Sequence, residues 1–375
     1  MKKFRVAIQY SAALLLCAFT LSVACTAQKP ANNSQTNTLK IPASHPAITV
    51  LASSYHAAPT ALPGAKQKLA PINAKGARGA ELLKADPSLA APQIVSGPKT
   101  PTPTGTHFYP ADLVNSGGPL VTSTTIHDIF VNMTSGTVAS NWGDPHGFLG
   151  DLSKSDFIHL TDQYTGNTGV PQHYAVESGF WYLTAPAYTS PLTDADMQYF
   201  ATFVAQNIPS AGPGTTNIYN LYLMPGTDVC FDSSYSVCYS PDNYSTWYFC
   251  AYHGAVAVEG YGTVLYTVEP FQDVPGCAVQ TPSPNGQLAD STNSVLSHET
   301  FETITDPVGG TGWTNITSLD LWGYEIGDEC EPLGNSSGDF LTPTFYINGK
   351  QYEVQLEYSN FYHACSMQSK NVILF

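Results

Sequence analysis

Two hydrophobic spacings alternate along this chain from about His107 onward. Short runs of apolar, β-branched and aromatic residues are separated by Gly, Pro, Asn and Asp, the texture of strands joined by turns. Residues 126–131, 220–224, 264–268 and 344–347 are predicted strands on that basis. Two other stretches follow a 3.6-residue period. In residues 193–207 a Thr193 cap and an acidic first turn (Asp194, Asp196) precede Met197, Phe200, Phe203 and Val204 at core-facing intervals. In residues 291–305 Ser291 is the predicted cap, Val295, Leu296, Phe301 and Ile304 the apolar positions, and Pro307 the stop. The pattern predicts one α+β domain over 106–375 with a mixed sheet and long loops.

Upstream the pattern is different. Residues 1–27 have a basic start (Lys2, Lys3, Arg5), an apolar core from Ala12 to Ala24 and small residues up to Ala27, which predicts an export signal. The segment before Cys25 also admits lipoprotein processing, so a lipid anchor at Cys25 is the alternative to soluble release. Residues 28–105 are rich in Pro, Ala, Thr and Lys and show no sustained period. They are expected to be a basic linker, or a pro-segment that docks on the acidic domain. No apolar run of spanning length follows the signal.

Composition sharpens this picture. The 375 residues are 43 % hydrophobic and 11 % charged, too apolar for intrinsic disorder. The formal charge of −15 is unevenly placed. Residues 1–105 hold eleven basic and two acidic residues, whereas 106–375 hold three lysines against twenty-seven carboxylates. A nucleic-acid binder working through a basic face is excluded. Six cysteines beyond the signal (Cys230, Cys238, Cys250, Cys277, Cys330, Cys365), none in a C-x-x-C pair, predict up to three disulfides of undetermined pairing in a secreted, periplasmic or cell-surface protein.

The chemistry concentrates on the second helix, in Ser297-His298-Glu299-Thr300-Phe301-Glu302. His298 and Glu302 are four residues apart, so they leave the helix on one face, one turn apart, where both reach a single cation. Glu299 is placed to hold a water on that cation and act as general base. The third ligand is sought in the acidic run Glu325-Ile326-Gly327-Asp328-Glu329, with Glu325 and Asp328 first, then Asp306 and His363. Zinc suits such a histidine and carboxylate set. Tyr324 is a candidate oxyanion donor beside the metal. His253 reads either as a cleft residue or as a packed strand histidine, and Trp313 as a pocket or a core residue, with packing the default for both. Solvated surface carboxylates, or a calcium site, are the alternatives for the acidic run.

The run Ser297-His298-Glu299-x-x-Glu302-x-x-Thr305-Asp306-Pro307, then Trp313, then Glu325-Ile326-Gly327-Asp328-x-Cys330, resembles the phosphate-induced, exordium-like family of exported proteins. The resemblance covers roughly residues 220–330. It implies a zincin-like domain with an active-site helix and a link to the cell wall. The leading expectation is an exported zinc metallohydrolase acting on peptides. The alternative is a non-catalytic cell-surface or wall-associated protein with a structural metal. A glycosidase is disfavoured because Glu299 and Glu302 lie too close on one helix to flank a glycosidic bond.

Overall fold

In the computed structural model of the chain, the described residues are 37–42, 48–59, 112–134, 136–138, 142–166, 174–186, 191–231, 233–243, 245–315, 325–333 and 344–367. The expected export signal, Cys25 and Tyr324 lie outside them. One mixed sheet organises the domain. Its strands are β1 (Asn37–Lys40), β2 (Val50–Pro59), β3 (Thr124–Val131), β4 (Tyr174–Val176), β5 (Trp181–Thr184), β6 (Asn217–Tyr222), β7 (Phe249–Val258) and β8 (Gly262–Glu269). The order across the sheet is β1-β5-β3-β6-β8-β7-β2, with β4 also pairing on β3. The strands from β1 to β8 run parallel to their neighbours, and β8-β7 and β7-β2 are antiparallel.

Residues 28–105 therefore depart from a pure linker, because β1 and β2 come from them. Both are edge strands. The middle of β2 is built of small and polar residues, so it shows none of the alternation by which a half-buried strand is recognised.

Helix α1 (Pro145–Leu152) and the site helix α3 (Gln287–Thr305) lie on one face of the sheet, and α2 (Asp194–Asn207) packs on the other. Alternation along the strands divides the core in two. Val264, Tyr266 and Val268 of β8 pack with Met197 and Val204 of α2, while Leu265 joins Phe148, Leu296, Phe301 and Ile304 on the opposite side. Helix α2 opens as expected, the Thr193 amide donating to Asp196 at 2.8 Å.

Helix α3 begins a turn earlier than expected, behind Gly286 rather than Ser291. Ser291 is interior, and its hydroxyl accepts the Val279 amide at 3.0 Å. The helix is buried on nearly every side despite its Ser and Thr content. Those hydroxyls satisfy themselves on the helix's own carbonyls: Thr300 donates to Leu296, Thr303 to Glu299 and Thr305 to Phe301. Three disulfides form, Cys230–Cys238, Cys250–Cys277 and Cys330–Cys365. Among the described residues no helix is long and apolar enough to cross a membrane.

Candidate metal centre

The sheet face beneath α3 carries a polar row where apolar residues would be ordinary. Asp128 of β3, Asn220 of β6, Thr267 of β8 and His253 of β7 are successive cross-strand partners. Asn220 donates to Asp128 at 3.2 Å and receives the Thr267 hydroxyl at 3.1 Å, so three of these buried groups satisfy one another. Asp128 also accepts from Tyr222 and pairs with His146 of α1 at 2.8 Å. At the end of the row, His253 meets α3.

His253, Glu299 and Glu302 converge there. His253 Nδ1 lies 3.2 Å from Glu299 Oε2 and 3.6 Å from Glu302 Oε2. One turn away, His298 Nε2 lies 3.1 Å from Glu302 Oε1 and 3.7 Å from Asp328 Oδ1. Two ligands sharing a tetrahedral ion at about 2.1 Å are about 3.4 Å apart, so these separations, which also suit direct ion pairs, would admit a common cation. Two groups, His298-Glu299-Glu302 and His253-Glu302-Glu325, each bring one ligand atom per residue within 4.8 Å of the others. Every member is buried.

Both imidazoles are oriented from behind. His298 Nδ1 is 3.3 Å from Gln355 Oε1, and the Gln355 amide group is itself fixed by donation to the Gly327 carbonyl at 2.6 Å. An amide oxygen only accepts, so Nδ1 carries a proton, and Nε2 is the nitrogen that faces Glu302 and Asp328. His253 repeats this with reversed nitrogens. Nε2 donates to the Asp306 carbonyl at 3.1 Å, which leaves Nδ1 facing Glu299 and Glu302. One ring nitrogen aimed at carboxylates while the other is bonded from behind through its N–H is how metal-ligating histidines are arranged, and the donor set fits a divalent ion.

The acidic turn closes over this pair. The Asp328 amide donates to Glu302 Oε1 at 3.3 Å, and Asp328 Oδ2 accepts the Glu325 amide at 3.2 Å. Gly327 lies flat on His298, where a Cβ would come within 2.4 Å of Nδ1. The Cys330–Cys365 disulfide ties the turn to the strand pair β10 (Glu357–Ser359) and β11 (Ala364–Ser366), which follow β9 (Lys350–Glu353). Ser294 of α3 accepts the Gln355 amide at 3.1 Å and so fixes Gln355 behind His298.

Burial and mutual charge set the acidities. Burial pushes Glu299 upward and the Glu302 charge adds to it, outweighing the hydrogen bond from His253. Burial would raise Glu302 too, but the two histidines hold it below the ordinary range. Burial lowers His253, yet the Glu299 hydrogen bond and the neighbouring carboxylates bring its net shift upward. Glu357 and Glu269, both fully buried, are driven far above the carboxylate range by desolvation.

The candidates fall into two sets. Glu299, Glu302, Glu325, Asp328 and His298 come together. Asp306 is not a ligand: its carboxylate caps the amides of Gly310, Thr311 and Gly312, as a residue just past a helix end is placed to do. His363 pairs with Asp112 at 2.8 Å and belongs to neither group. Trp313 donates to the Tyr164 carbonyl and packs against the Tyr164 ring. His253 is the packed strand histidine expected, and it faces the site as well. Gln355 and Glu357 were missed. Their alternation in Val354-Gln355-Leu356-Glu357-Tyr358 reads as a solvated strand face, whereas here both faces are buried.

Comparison of the chain with protein-family models, with curated proteins and with solved structures gives no match.

Proposed function

We propose that the domain is a zinc-dependent metallohydrolase of the peptidase type, exported to an oxidising compartment. One observation supports it most: His298 Nε2 and Glu302 share a face of α3 with the imidazole backed by Gln355, while Glu299 stands one residue away. His298, Glu302 and Asp328 would hold the ion. Bound zinc supplies a Lewis acid that polarises a carbonyl and brings the pKa of its water toward neutrality. Glu299, whose carboxylate lies 3.2 Å from His253 Nδ1, would take the proton of the attacking water. Tyr324 is proposed to steady the developing oxyanion. The acidic domain would repel anionic substrates and admit neutral or basic peptides, including wall-associated ones. The signal-like N-terminus and three disulfides support export. The His298–Cys330 run supports placing the chain beside the exordium-like proteins.

A second reading is favoured by the complete burial of both histidines and all the neighbouring carboxylates. In it the ion is structural and the protein a non-catalytic cell-surface component. Glu299→Gln separates the two. The hydrolase predicts unchanged zinc content with peptide cleavage reduced at least 100-fold, the usual worth of a general base. Zinc retained in the parent chain with no cleavage across a broad peptide panel contradicts the enzyme and leaves the structural ion.

A further inference from the structure

Glu302 divides its two oxygens between the two histidines. Oε1 lies 3.1 Å from His298 Nε2 and receives the Asp328 amide. Oε2 faces His253 Nδ1 at 3.6 Å and, though buried, accepts no hydrogen bond among the described residues. Glu325 Oε2 lies 3.8 Å from His253 Nε2. An ion held through Oε1 beside His298 thus leaves Glu302 Oε2 to a second group, His253, Glu302 and Glu325, whose ligand atoms lie within 4.8 Å of one another.

The charge balance points the same way. Glu299, Glu302, Glu325 and Asp328 are all buried. The Lys350 ammonium is engaged far along the chain with Asp151. One divalent ion offsets two of four carboxylate charges. Burying the remainder uncompensated is strongly unfavourable.

We infer that the centre takes two divalent cations bridged by Glu302, an inference that rests on the metal-centre reading above. One is held by His298 Nε2, Glu302 Oε1 and Asp328, the other by His253, Glu302 Oε2 and Glu325. A carboxylate bridge of this kind sets ions about 3.5–4 Å apart. The second position, with two carboxylates and one imidazole, suits zinc or manganese.

The test uses the full chain, stripped with a chelator, reloaded with zinc and weighed by native mass spectrometry. The expected result is two zinc ions per chain, and one in His253→Asn. One zinc in the unmutated chain overturns the two-ion proposal and leaves the single centre standing; none overturns both. Two zinc ions retained by a folded His253→Asn variant overturn the ligand assignment. The unmutated chain loaded with manganese supplies a control that needs no variant. A bridged pair gives an exchange-coupled electron paramagnetic resonance spectrum, and a pure six-line spectrum of isolated ions refutes the bridge.

Discussion

Replacing Gly327 by Ala perturbs the centre without touching a ligand. The new Cβ would lie 2.4 Å from His298 Nδ1, 2.7 Å from Cε1 and 2.8 Å from Cγ. Ordinary carbon–nitrogen contact is about 3.4 Å, so the ring or the turn must retreat by about 1 Å. Metal sites tolerate only about 0.2 Å in their bonds, so a retreat of that size detaches His298 or Asp328 from a shared ion. It also parts Gln355 from His298 and from the Gly327 carbonyl, now bonded at 3.3 and 2.6 Å. Loss of such a backing bond alone weakens metal binding about 10–100-fold. Overpacking a buried site adds about 1–3 kcal/mol of destabilisation. Gly150→Ala is the control, since its Cβ meets nothing within 4 Å in helix α1, and Ala there is expected to be neutral or stabilising by up to about 1 kcal/mol. The assay is zinc affinity by competition with a chromophoric chelator, alongside thermal unfolding of the chelated protein. Parent-like affinity and parent-like melting in Gly327→Ala would refute the placement of the turn on His298.

Other parts of the structure make independent predictions. Asp194 accepts from the Tyr252 and Tyr266 hydroxyls at 2.9 and 2.7 Å and from Gln198 at 2.6 Å, so Asp194→Ala strips these buried donors of their acceptor and should cost about 1–3 kcal/mol in denaturant unfolding. Cys330→Ser opens a cross-link separating residues 35 apart, which should lower stability by about 4 kcal/mol and weaken zinc binding, because the freed segment carries Glu325 and Asp328. Asp228 is pushed up to about 6 by burial and by Asp242. Its folded-state value exceeds its unfolded one, so its contribution is full below about pH 4 and is lost as pH rises through 6. Asp228→Asn should match the parent at pH 4 and exceed it at pH 8 by up to about 1 kcal/mol, the shift being discounted for partial exposure; equal stability at both pH values would contradict this.

The helical part of the fold was legible because its signals are local. The Thr193 cap and the acidic turn behind it, and the stop before Pro307, are set within a few residues of where they act. The i, i+4 spacing of His298 and Glu302 is equally local, and it survives as a 3.1 Å contact. What was hidden depends on tertiary neighbours. Ser291 reads as a cap until a distant amide, Val279, is seen to occupy it. His253 gains its meaning only from strand register, which aligns it with Thr267, Asn220 and Asp128 across four strands. Gln355 and Glu357 lie more than fifty residues beyond the motif, and nothing in an alternating strand says that its polar face is covered.

The central claim is that His298 and Glu302 bind the same ion. Anomalous diffraction at the zinc edge, on crystals of the full chain reloaded with zinc, tests it most directly. The account predicts a peak about 2.0–2.2 Å from both His298 Nε2 and a Glu302 oxygen, with His298 Nδ1 still bonded to Gln355. Fully loaded crystals whose anomalous peaks all lie away from α3 would contradict it.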